Sequence, residues 1–270
     1  MDLTLHLRTR FEVFKGSDVW EETTLPRTVP AHATALLLCD MWDDHWCKSA
    51  ARRCAALAHK MNPIIATARD RGVQIIHAPS ECMAFYQDTP QRQRMVSLPA
   101  VDPVPAWHID APPLPIDDSD GGCDDRPPCP TFHAWTRQHP AIAIEAPDAI
   151  SDSGMEVYRL LRQRNIQTLL VAGVHTNFCV LGRSFGIRQM RRWGVPCVLV
   201  RDLTDALYNP AKPPYVSHAD GTALVIRHIE QYWCPTIMSD DLATPERDEA
   251  TAVPYAATAA ASHGAAGVLE

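Results

Sequence analysis

The segment TLLVAGVHTNFCV, Thr168 to Val180, decides the fold. Its first seven residues form an unbroken apolar run of strand length, the pattern of a strand buried on both faces. The polar step His175-Thr176-Asn177 follows, and helical spacing then runs from Val180 to Trp193. Working outward, the same unit recurs. TALLLC (Thr34 to Cys39) is a strand ending at Asp40, Ser49 to Arg71 is a helix stopped by Gly72, with Pro63 expected to kink or split it, and VQIIHA (Val73 to Ala78) is the next strand. AIAIE (Ala141 to Glu145) reads as a third strand, Gly154 to Arg164 as a helix, PCVLVR (Pro196 to Arg201) as a fifth strand, about Thr222 to Tyr232 as a helix and CPTIM (Cys234 to Met238) as a sixth strand. This alternation implies an α/β fold: a doubly wound, mostly parallel sheet of about six strands with helices on both faces.

The 270 residues are 46% hydrophobic and 21% charged, enough to bury a core as one domain, expected over residues 1–242. Residues 81–140, rich in proline, aspartate and aromatics, read as a long insertion covering the sheet. Its Phe85, Tyr86, Trp107, Phe132 and Trp135 are expected to be kept from solvent. Residues 243–270, alanine-rich and unpatterned, read as a flexible tail. The net charge of −7 argues against nucleic acid as a partner. AHATALLLCDMW, the longest apolar stretch, is too short to span a bilayer, so no membrane partner is expected. Nine cysteines, an odd number, and an opening without a secretory apolar run point to reduced thiols and a cytoplasmic location. Only four of the 25 basic residues are lysines: Lys15, Lys48, Lys60 and Lys212.

In an open parallel sheet, ligands bind beyond the carboxyl ends of the strands. That rule selects Asp40, Trp42, Asp43, Asp44 and His45 after the first strand, His77, Ser80 and Glu81 after the second, and Glu145 and Asp148 after the third. The run from Gly173 to Val180 follows the fourth, and Asp202 and Asp205 follow the fifth. Cys179 stands where a helix N-terminus favours a thiolate, and Asp40 comes from another strand end. A thiol beside a carboxylate that takes its proton is an arrangement for nucleophilic attack on an acyl carbon.

GVHTNFCV combined with LLLCDMW resembles the isochorismatase-like cysteine hydrolase family, which includes nicotinamidases and related amidases, over about Ala31 to Leu242. The resemblance implies a three-layer α/β/α fold, Cys179 as nucleophile and Asp40 as its base. It implies an oxyanion hole from the backbone N–H groups of His175 and Cys179, with a non-proline cis peptide between Val174 and His175. No cofactor is implied, and relatives assemble as dimers or tetramers, so a homo-oligomer acting on a small molecule is expected. The reaction would be hydrolysis of an amide or lactam C–N bond through a thioester. The alternatives are a non-catalytic or regulatory binding member and an enol ether hydrolase of the isochorismatase type.

One departure stands out. The family carries a third catalytic residue, a lysine beyond the third strand, and the stretch from Glu81 to Val200 has none. Glu145 occupies that position by spacing from Cys179. Either Glu145 works in the site, with Arg137 supplying the missing charge or a cationic substrate pairing with it, or it points away as a solvated acid. Trp42, His45 and His77 are expected to contact substrate. Arg183, Arg188 and Arg191 fall on the helix after Cys179, where a solvated or subunit-facing role is the default. A metal at Asp43, Asp44, His45 and His77 lacks the family spacing, so none is expected. Cys47 reads as structural, and Cys123 and Cys129, separated by five residues, do not match a zinc knuckle.

Overall fold

The computed structural model describes residues 1–243, so the expected tail over residues 243–270 lies almost wholly outside the described residues. The chain opens with a hairpin that the sequence reading did not anticipate, β1 (Asp2–Glu12) and β2 (Trp20–Pro30), paired antiparallel along their full lengths. Then come β3 (Thr34–Cys39), α1 (Lys48–Asp70), β4 (Gln74–Ala78), α2 (Met83–Tyr86), α3 (Pro90–Val96), β5 (Ala149–Ile150), α4 (Gly154–Gln163) and β6 (Thr168–Val174). The remainder is α5 (Cys179–Gly182), α6 (Ile187–Arg192), β7 (Cys197–Asp205), α7 (His218–Tyr232), β8 (Thr236–Ile237) and α8 (Asp240–Ala243). One sheet of eight strands runs β2-β1-β8-β7-β6-β3-β4-β5. From β8 to β5 every pairing is parallel, and β1 joins β8 antiparallel. The doubly wound α/β reading therefore holds, with two more strands than expected.

The two-residue period of a strand sorts the core into two layers. Ala35, Leu37 and Cys39 of β3 join Leu169 and Val171 of β6 on one face, beneath Val157 and Leu160 of α4, Ile187 and Met190 of α6 and Val225 and Ile229 of α7. Leu36 and Leu38, with Leu170, Ala172 and Val174, face Cys54, Ala58, Met61, Ile65 and Ala68 of α1. Each fully buried leucine of this kind contributes about 1.5–3 kcal/mol. A buried Glu230, gripped by Arg8 Nε at 2.7 Å, Arg10 Nε at 3.2 Å and the Thr236 hydroxyl at 2.7 Å, fastens the N-terminal hairpin to the sheet edge.

Three local expectations need correction. The third parallel strand is β5 at Ala149–Ile150, not Ala141–Glu145: Ala143 and Glu145 are exposed, and Glu145 N–H turns back to the Asp148 carboxylate instead of a neighbouring strand. The helix expected from Val180 to Trp193 is two short helices, α5 and α6, broken around Arg183 and Gly186. A Cβ at Gly186 would sit 2.9 Å from the Val180 carbonyl. Of the insertion's aromatics, Tyr86 is buried and Trp135 half-buried, but Phe85, Trp107 and Phe132 are exposed, so the segment covers the sheet only in part. Pro63, by contrast, lies inside α1, which continues through it.

Candidate active site

The strand ends of β3, β4 and β6 meet at one point. Asp40, the first residue past β3, sits at φ 46°, an uncommon conformation for a residue with a Cβ, and its side chain is fully buried. One carboxylate oxygen accepts the Ser80 N–H at 2.7 Å, from the segment after β4, and the other accepts Nε of Arg183 at 2.9 Å. Cys179 opens α5 with its thiol beside the Asp40 carboxyl. The strands approach closely behind this pair: Gly173, at φ 115°, has the Cys39 carbonyl 2.0 Å from where a Cβ would be, so only glycine fits. The peptide between Val174 and His175 is cis.

Electrostatics here are set by burial against one cation. Burial pushes the Cys179 thiol far up, Asp40 beside it adds to this, and Arg183 opposes it. Burial likewise raises Asp40, with Arg183, Cys179 and Ser80 pulling the other way. Burial thus favours the neutral form of each group, and Arg183 is the group that favours their ionised forms. Sequence position suggested a thiolate favoured by a long helix, but α5 is a single turn with little dipole to offer, and desolvation wins. Arg183 is held up by Asp40 and Cys179 against its own burial, so it stays cationic. Its Nη1 also lies 3.4 Å from Glu81 Oε1, and its guanidinium lies over the Trp42 ring at 5.8 Å.

Above the pair opens a cavity of about 310 Å³ walled by Trp42, Trp46, Trp135, Phe178, His45 and His175. Trp42 and Trp135 stack at 4.1 Å and 14°, and the Trp42 indole N–H is anchored on the Ser80 carbonyl at 3.1 Å. Burial lowers His45 to about 4 and, with His45 beside it, His175 to about 3, so both are neutral imidazoles near pH 7. The volume is at the small end for ligand sites, and the walls suit a flat, largely uncharged group.

The structure brings Asp40, Cys179, His175, Trp42 and His45 together and leaves three expected residues outside. Glu145 is exposed; its carbonyl accepts from Gln91 at 3.0 Å, and it does not line the cavity. Arg137 stands on the surface over Phe85, 3.8 Å from Asp43. His77 is fully buried beneath the site, hydrogen-bonded to Gln138 at 2.8 Å and Asp148 at 3.0 Å, because its strand position turns it into the protein interior. The cation is Arg183, which the sequence reading treated as solvated. The signal was present: Arg183 follows Cys179 by four residues, the spacing of neighbours on one helix face.

The isochorismatase domain model matches residues 34–213, two thirds of the chain. The protein belongs to the isochorismatase domain family. Among solved structures it is similar to a cysteine hydrolase from Pseudomonas syringae pv. phaseolicola 1448A, at 17% identity and TM-score 0.51, covering 79% of this chain and 92% of that one. It is also similar to an isochorismatase family protein from Burkholderia thailandensis (15% identity, TM-score 0.43, covering 78% and 93%). A third is PnC1 from L. infantum in complex with nicotinate (17% identity, TM-score 0.43, covering 79% and 96%). The comparison with curated proteins gives no match. The family member is a hydrolase by fold, and among its described residues no helix is long and apolar enough to cross a membrane.

Proposed function

We propose that this family member is a cysteine-dependent hydrolase that cleaves an amide or lactam C–N bond of a small, flat molecule. The observation that carries the reading is the Asp40–Cys179 pair with Arg183 at its side, at the floor of an aromatic cavity. Cys179 is the nucleophile, Asp40 the proton acceptor, and Arg183 takes the place of the lysine that the family resemblance leads one to expect. Substrate binding displaces water from the cavity, the thiol proton passes to Asp40, and the thiolate attacks the carbonyl carbon. The His175 and Cys179 N–H groups receive the oxyanion. Asp40 returns the proton to the nitrogen as the C–N bond breaks, leaving a thioester. Water, giving its proton to Asp40, attacks the thioester and releases the carboxylic acid and Cys179. Arg183 contributes charge alone, because a guanidinium does not give up its proton at these pH values. Nine free thiols also support a reducing compartment.

The test is an ammonia- and amine-release screen over primary amides, ureas, lactams and imides, run on wild type and Cys179→Ala together. Glu81, half-exposed beside Arg183, justifies including cationic amides. Intact-mass detection of an acyl adduct on wild type, absent from Cys179→Ala, is the expected result. Turnover of any amide at full rate by Cys179→Ala would overturn the nucleophile assignment.

A further inference from the structure

The insertion carries three elements that the proposed chemistry does not use. Cys123 and Cys129, with five residues between them in the loop after α3, meet Cys47, the N-cap of α1, around the carboxylate of Asp125. Ligand atoms of Cys47, Cys123 and Asp125 all lie within 4.8 Å of one another, the one such group among the described residues. Cys129 borders the set without belonging to that group: its sulfur is 3.3 Å from Asp125 Oδ2.

The distances have a pattern. Asp125 Oδ2 is 3.4 Å from the Cys47 sulfur, 3.8 Å from that of Cys123 and 3.3 Å from that of Cys129. With Zn–S at about 2.3 Å and Zn–O at about 2.0 Å, a tetrahedral centre has S···O edges of about 3.5 Å. The same oxygen also accepts the Ser49 N–H at 2.8 Å. Three thiols and an amide N–H thus crowd one oxygen, more donors than its lone pairs accept. A cation inside the ring of sulfurs removes the conflict, because the thiols become acceptors.

Asp125 is oriented from behind by the Ser49 hydroxyl at 2.6 Å and Arg52 at 3.5 Å, the outer contacts that hold a metal-ligating carboxylate. Cys47 and Cys123 are buried and Cys129 half-buried, so the site is closed on the protein side.

We propose that Cys47, Cys123, Cys129 and Asp125 form a structural site for a zinc-type divalent cation that staples the insertion to the start of α1. Three soft sulfurs and one carboxylate as donors select zinc over hard cations, with Cys129 moving in to close the coordination. On binding, the ion replaces three thiol protons, which leave to solvent, and no oxidant is involved. The staple bears on the cavity without joining it. Trp46, next to Cys47, and Gly121, two residues before Cys123, form adjacent parts of the cavity wall. Gly122, at φ 72°, is pressed against the Leu207 carbonyl on the same side. Metal loss is therefore expected to loosen this wall, leaving Asp40 and Cys179 in place. The inference is independent of the reaction proposed above.

The test uses the full chain, purified without chelator, then reduced and handled anaerobically. Zinc per chain is measured by elemental analysis, affinity by competition with a chromophoric chelator, and ligand type by cobalt substitution. The expected result is one metal ion per chain and a thiolate-to-cobalt charge-transfer band. Cys129→Ser, at a half-buried position, and Asp125→Asn are each expected to bind about 10-fold weaker or worse while keeping the wild-type circular dichroism. If a variant fails to fold, the wild-type zinc and cobalt measurements still decide. Folded, reduced wild type that takes up no zinc or cobalt would overturn the proposal. Uptake with no thiolate band, uptake unchanged in both folded variants, or peptide mapping that finds a Cys47–Cys123 disulfide in freshly purified protein would do the same.

Discussion

Replacing Arg183 with glutamine removes the cation that, among the described residues, stands against both Asp40 and Cys179. Arg183 Nε lies 2.9 Å from Asp40 Oδ2, with side chains 29% and 0% exposed. Two unit charges with centres about 4 Å apart attract by about 4 kcal/mol at the effective dielectric constant suited to such sites. Screening of the part-exposed guanidinium leaves about 2–3 kcal/mol. At about 1.4 kcal/mol per pK unit, that is close to two units on the groups the arginine stabilises in their charged forms. The sign is fixed: Arg183 pulls both Asp40 and Cys179 down, so its loss moves both up. The assay needs no substrate. Iodoacetamide alkylation of Cys179, followed by peptide mass spectrometry across pH, should slow by about 100-fold in Arg183→Gln on the acid side of its midpoint. Arg183→Lys should recover much of that loss. Any amide turnover should show its acid limb, set by Asp40 losing its proton, shifted to higher pH in Arg183→Gln. An unchanged alkylation profile in folded Arg183→Gln would refute the electrostatic role.

Cys179→Ser is expected to lower turnover by at least about 10³-fold and to abolish the thioester adduct by mass. Glu145→Gln and Glu145→Lys should leave turnover unchanged and stability within about 0.5 kcal/mol, read by steady-state assay and urea unfolding, because the side chain is exposed and away from the cavity. Trp135→Ala removes the ring stacked on Trp42; a stacking term of about 0.5–1.5 kcal/mol predicts KM about 2- to 10-fold higher with kcat nearly unchanged. Asp148 is held down to about 2 from 3.8 by His77, Arg69 and the Glu145 N–H, against its burial. A depressed carboxylate stabilises above its unfolded pKa, so about 2 kcal/mol present above pH 3.8 should drain away as pH falls toward 2. Urea midpoints measured between pH 2 and 7 should show a shallower acid slope in Asp148→Asn; an equal slope would count against this.

What the sequence disclosed follows the physics of burial. Strands β3 and β6 are buried on both faces, so their apolar runs are continuous and their ends, Asp40 and the His175–Cys179 turn, are marked without ambiguity. β5 is two residues long, and the apolar letters of Ala141 to Ile144 outweighed it although Ala143 is exposed. The N-terminal hairpin was legible in part, since Leu3, Leu5 and Leu7 alternate with polar residues, but β2 is mostly exposed and carries no such pattern. Cys47, Cys123, Cys129 and Asp125 were hidden for another reason. The spacing of Cys123 and Cys129 fits no motif, and the residue that completes the cluster is 76 positions upstream of Cys123 on another element, so only the fold shows it.

Arg183 differs because its place was readable but its role was not. A cation beside Asp40 has to come from some element, and the structure supplies it from the turn that also carries Cys179. The proposed nucleophile and its cation therefore move together, whereas the proposed base comes from a separate strand end. The wider fork of a guanidinium matters as well. Nε serves Asp40 while Nη1 reaches Glu81, so one residue bridges a buried and an exposed carboxylate. A lysine is a point charge and would have to choose between them. Because the guanidinium also keeps its proton, proton traffic in the site is confined to Asp40, Cys179, the substrate nitrogen and water. In the proposed reaction Asp40 alone would then set the acid limb, and Arg183 where that limb falls.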